Sequence, residues 1–158
     1  MANPKLQIQT ALQILKPAHE VFTAIVDPAK MANYFISEGS GPMEEGTTVT
    51  WKFPEFDETF PVRVGKVEQD KYISYCWDGT DGNELLVEIT LTPEGDEATV
   101  VTITEKEMEN NEAGITWLKG NTAGWANFLA CLKAYLEHGI NLRKGAFDFM
   151  KPEAANKV

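Results

Sequence analysis

The chain has 158 residues, enough for one ordinary domain, and 43% are hydrophobic, which supports a packed core and excludes a disordered chain. Its formal charge of -10, from 24 acidic and 14 basic residues, argues against nucleic acid and anionic membrane surfaces, which call for clustered Lys and Arg. No apolar signal segment or run of ~18 apolar residues is present, and Cys76 and Cys131 fall on different elements, so a reduced, cytoplasmic location is expected.

Residues 5–15 alternate, with Leu6, Ile8, Thr10, Leu12 and Ile14 on one face and Gln7, Gln9 and Gln13 on the other. That pattern predicts a half-buried strand. Pro17 ends it and suits the first position of a short helix through Val26. Asp27-Pro28 repeats the device: Asp27 caps and Pro28 starts a second short helix reaching Phe35. Gly39-Ser40-Gly41-Pro42 then breaks regular structure.

Five strand-like runs follow, over 47–53, 60–67, 72–77, 85–91 and 99–105. Alternation points Val49, Trp51 and Phe53 one way, then Phe60, Val62 and Val64, then Ile73, Tyr75 and Trp77. Leu85, Val87, Ile89 and Leu91 continue the pattern, and Val101 and Ile103 close it. The links are short and rich in turn residues, so the strands form hairpins and the sheet is antiparallel.

From Ile115 to His138 the period changes to that of a helix. Leu118, Asn121, Trp125, Phe128, Leu129, Leu132 and Leu136 share one face, and Gly139 supplies the stop. Such a helix is about 36 Å long, and six strands span about 30 Å. One helix therefore crosses the whole concave face. The predicted fold is α+β, a helix-grip: a curved six-stranded antiparallel sheet wrapped around a long C-terminal helix, with two short helices after the first strand. Residues 1–139 make the domain and 140–158 a tail. The tail's Phe147, Phe149 and Met150 dock either on the domain or on a second copy, as in a homodimer.

This order resembles the START-like SRPBCC superfamily, and within it the heat-shock-chaperone ATPase activator-like branch. The carrying residues are Pro17 with Val21-Phe22, Asp27-Pro28 with Tyr34-Phe35, and Gly124-Trp125, Phe128-Leu129, Leu132 and Tyr135-Leu136. The resemblance covers about residues 5–138. It departs from the family at the end of the sixth strand, where a frequent His is replaced by Glu105. It implies a cavity between sheet and helix for hydrophobic small molecules. Members include lipid carriers, polyketide cyclases and aromatases, and plant hormone receptors.

No catalytic signature is present: no phosphate loop, dinucleotide fingerprint, Gly-x-Ser-x-Gly elbow or His-Glu-x-x-His. His19 and His138 read as surface residues, and the two cysteines as free structural thiols, so neither a metal nor a cofactor is expected. The Asp78–Asn83 turn has oxygen ligands but not the register of a calcium loop.

The aromatic residues carry the functional argument. Trp51, Phe53, Phe60, Tyr75, Trp77, Trp125 and Phe128 converge between sheet and helix, either as a filled core or as the walls of a cavity. Glu105 shares the parity of Val101 and Ile103, which would project it into the cavity mouth; Asn121 is a second polar handle or a residue near the helix start. The leading expectation is non-catalytic binding of a small apolar or aromatic molecule by these nine residues. The alternatives are a chaperone-cofactor role and a cyclase- or aromatase-type enzyme guided by Glu105.

Overall fold

The first strand, β1 (Leu6–Ile14), buries Ile8 and Ile14 and leaves the glutamines in solvent, as alternation requires. The computed structural model describes residues 4–79 and 82–152. Met1-Ala2-Asn3, Thr80-Asp81 of the turn before β6 and the tail beyond 152 lie outside the described residues.

Two short helices follow. α1 (Ala18–Val26) buries Val21, Phe22, Ala24 and Ile25, and Pro17 stands one place before it, as N-cap. α2 (Pro28–Met31) starts as its sequence dictates, with Pro28 at its first position and the Asp27 carboxylate accepting from the Ala29 N–H at 2.9 Å. The expected helix to Phe35 is shorter: after Met31 the chain tightens into turns in which the amides of Tyr34, Phe35 and Ile36 all donate to the Met31 carbonyl. That crowding turns Tyr34 and Ile36 into the core.

The remaining strands are β2 (Glu38–Gly39), β3 (Thr48–Lys52), β4 (Thr59–Glu68), β5 (Tyr72–Asp78), β6 (Glu84–Pro93) and β7 (Thr99–Met108). All pair antiparallel in one curved seven-stranded sheet of order β1-β7-β6-β5-β4-β3-β2. The seventh strand, β2, corrects the expected six. It falls within the stretch expected to break, because two residues are too few to show a pattern. Gly39 is needed there: a Cβ would stand 2.8 Å from the Pro28 Cβ. A register shift between Val64 and Val67 bends β4 as bulges do, and the Ser74 hydroxyl satisfies the freed Lys66 N–H at 2.9 Å.

The long helix α3 (Glu112–His138) begins three residues earlier than its apolar period suggests. Asn111 caps it, accepting from the Gly114 N–H at 2.9 Å, and Gly139 ends it in the left-handed conformation with φ 66°. Trp125, Phe128, Leu129, Cys131 and Leu132 pack into the sheet's core. Among the described residues no helix is long and apolar enough to cross a membrane.

Gly114 gives a first prediction. In an exposed helix, Gly→Ala gains about 1 kcal/mol. Here the new Cβ would sit 1.9 Å from the Glu109 carbonyl oxygen, a backbone atom. Gly114→Ala is therefore expected to destabilise by about 1–3 kcal/mol as overpacking, read by urea denaturation. A stabilised variant would show that the loop before α3 yields freely.

Candidate ligand cavity

Strand parity and helix period meet at one carboxylate. Glu105 follows Val101 and Ile103 on the inner face of β7 and is fully buried. Its Oε2 accepts from the Trp77 indole N–H at 2.7 Å. Its Oε1 accepts from the Asn121 side-chain amide at 2.9 Å and the Trp125 indole at 3.0 Å. Asn121 and Trp125 are four residues apart, hence neighbours on one face of α3. All three partners are donors, which suits an ionised, acceptor-only carboxylate. Its charge is felt nearby: burial first, and Glu105 second, push the Tyr75 phenol well above the usual tyrosine range.

In front of this cluster lies a cavity of about 710 Å³. Phe53, Phe60 and Trp77 line it from the sheet side. Trp117, Asn121, Trp125 and Phe128 line it from α3, and Arg143, Phe147 and Met150 from the tail. Trp77 and Trp125 sit 5.8 Å apart between ring centroids, and Phe53 and Phe60 5.2 Å apart. Walls of this kind suit an apolar or aromatic guest oriented by a few polar atoms.

Six of the nine residues singled out from the sequence therefore line the cavity: Phe53, Phe60, Trp77, Asn121, Trp125 and Phe128. Trp51, Tyr75 and Glu105 do not; each is at most 1% exposed and lies behind the wall. The Tyr75 ring packs edge-on against Trp51 at 5.4 Å and Trp77 at 5.3 Å. Alternation places all these side chains inward, but it cannot tell which inward positions meet the helix and which face open space.

The Tyr75 hydroxyl is buried without a hydrogen-bond partner among the described residues. An unmet buried hydroxyl costs about 1–3 kcal/mol. Tyr75→Phe is thus expected to leave stability unchanged or raise it, measured by thermal melting; a clear loss would mean the hydroxyl has a stabilising partner.

The sequence reading missed Trp117, although Trp117, Asn121 and Trp125 follow a regular i, i+4, i+8 spacing. The Trp117 indole nitrogen is buried and has no partner among the described residues. It also missed the pair that ties the tail down. Arg143 donates to both Glu55 oxygens, at 2.7 and 2.8 Å, and the two side chains are only 12% and 3% exposed. The Arg143 guanidinium also lies 4.6 Å from the centre of the Phe147 ring. Residues 88 apart in sequence carry no local signal of such a contact. The tail thus docks on the domain through the Arg143–Glu55 pair and brings Phe147 and Met150 to the cavity lining, while Met150 stays 50% and Phe149 73% exposed.

The other titratable residues have structural surroundings. His19 is an exposed partner of Asp70 at 3.0 Å. Arg63 binds Asp78 and Glu84, at 3.0 and 2.9 Å, across the base of the β5–β6 turn. Cys76 and Cys131 are free, and burial pushes both thiols up.

The family described as Activator of Hsp90 ATPase homolog 1-like protein matches residues 16–137. Among solved structures, the chain is similar to protein SSP2350 from Staphylococcus saprophyticus, with 33% identity and a TM-score of 0.77 over 87% of this chain and 96% of that one. It is similar to DynU16, from the dynemicin biosynthetic locus, with 28% identity and a TM-score of 0.76 over 87% of this chain and 49% of that one. The Aha1 dimer from Colwellia psychrerythraea shares the fold at 19% identity, with a TM-score of 0.72 over 85% of this chain and 98% of that one. No curated protein matches the chain significantly.

Proposed function

The chain belongs to the Activator of Hsp90 ATPase homolog 1-like family, and from that premise we propose that it binds a small apolar or aromatic molecule without transforming it. The observation that carries this reading is the cavity of about 710 Å³, walled by aromatic rings from the sheet, α3 and the tail. Its volume falls in the range of small-molecule sites, and its lining is mostly apolar. Both Glu105 oxygens are taken by N–H donors and Glu105 is not on the cavity lining, which supports reading this carboxylate as one that positions the walls. The test is a thermal-shift screen of apolar and aromatic compounds, with tryptophan fluorescence as second readout. A ligand at a hundred times its Kd should raise the melting temperature by about 5–10 °C. A library without one such compound sinks the reading.

The family's description favours a second reading, a chaperone-cofactor role in which the acidic surface matters more than the cavity. A pull-down from the native cell that recovers no chaperone removes it. Exposed Ile140, Leu142 and Phe149 offer the apolar surface for a homodimer, which light scattering at the monomer mass would exclude.

A further inference from the structure

Glu105 is a fully buried carboxylate that accepts from N–H donors, and among the described residues no Lys or Arg pairs with it. Its neighbour in sequence, Lys106, points to Glu88 instead. A buried ion is costly unless hydrogen bonds and an opposite charge compensate it. Three N–H donors supply the hydrogen bonds, and the opposite charge is what these surroundings lack.

The two indoles that donate to Glu105, those of Trp77 and Trp125, also line the cavity. An indole that donates its N–H to an anion gains electron density over its ring, and the ring face is what attracts a cation. The rest of the lining has the same sign. Arg143 is neutralised by its two bonds to Glu55. Asp78, on the lining, shares Arg63 with Glu84, which lies outside it. Glu58, also on the lining, is exposed and has no ion-pair partner among the described residues.

Resting on the reading that the cavity binds a small ligand, we infer that it selects a ligand with a cationic group, an alkylated ammonium on an apolar or aromatic body. The ammonium lies against the half-buried Trp77 ring, beside Trp125, which is only 3% exposed, and Glu105 behind them is its buried counter-charge. Among the described residues on the lining, the paired Arg143 is the one positive charge such a cation would meet, and Arg63 beside Asp78 is likewise paired. An anionic ligand of the same shape would meet the field of Glu105 uncompensated.

Isothermal titration of the wild-type protein with three matched probes tests this. They are (2-naphthylmethyl)trimethylammonium, its uncharged carbon isostere 2-neopentylnaphthalene, and the anion 2-naphthylacetate. The cation should bind about tenfold tighter than the isostere, and the anion weakest. In Glu105→Gln, which keeps the volume and one acceptor, the ratio of cation to isostere should fall below about threefold. An isostere that binds as tightly as the cation to wild type overturns the inference and leaves the cavity reading standing. No binding by any of the three overturns the inference, and the thermal-shift screen then decides the cavity reading. A folded Glu105→Gln that keeps the full ratio also overturns it, because the counter-charge would then lie elsewhere. If that variant does not fold, the wild-type ratio alone decides.

Discussion

Replacing Glu105 with Ala is expected to destabilise the fold by about 3–5 kcal/mol, because one buried and two part-buried N–H donors lose their acceptor and each is worth about 1–3 kcal/mol. The sum is held below its upper limit by one opposing effect: deleting an uncompensated buried charge relieves its desolvation. The donors come from β5 and from two positions on α3, so the damage spreads across the contact between sheet and helix. Urea denaturation followed by far-ultraviolet circular dichroism reads the loss without relying on the tryptophans involved. Glu94→Ala, in an exposed turn, is the control and should stay within about 0.5 kcal/mol of wild type. A Glu105→Ala loss below about 1.5 kcal/mol would mean that the donors find other partners at little cost.

The second large effect is at Arg143. Removing it strands the Glu55 carboxylate, whose side chain is 3% exposed, and breaking such a buried pair costs about 3–5 kcal/mol. The chain has a way to lower that cost, because the tail after Gly139 can lift away and let water reach Glu55. Arg143→Ala is therefore expected to free the tail more than to unfold the domain. Chymotrypsin should cut at Phe147 and Phe149 at least tenfold faster than in wild type, while the melting temperature falls only modestly. Pairing Arg143→Met with Glu55→Gln should restore much of the protection, since no buried charge is then left alone. Equal cleavage of Arg143→Ala and wild type would mean that Phe147 and Met150 hold the tail by themselves.

These two sites mark the limit of what sequence made legible. The α+β helix-grip followed from local rules: period-two strands, short turn-rich links, Asp27-Pro28 at a helix start and Gly139 at a helix end. The exceptions were also local. β2 was too short to leave a pattern, and Gly114 hid the first turn of α3. The inward direction of Glu105 was legible from parity with Val101 and Ile103, but its depth was not. Depth depends on which residues of α3 cross β7, and no property of either segment alone sets that. For the same reason Trp51 and Tyr75 could not be separated from Trp77. The Glu55–Arg143 pair was the least visible, because a contact between a hairpin loop and a tail is made only after both have folded.

The central claim is that the space in front of Trp77, Trp117 and Trp125 is where a small molecule binds. The four indole N–H signals of the protein test it directly, in a ¹⁵N-correlated NMR titration with the best compound from the thermal screen. Saturable shifts of the Trp77, Trp117 and Trp125 signals are expected, with the Trp51 signal, 1% exposed and behind the wall, moving least. Shifts confined to Trp51, or no shift while the melting temperature still rises, would place the ligand elsewhere and contradict the account.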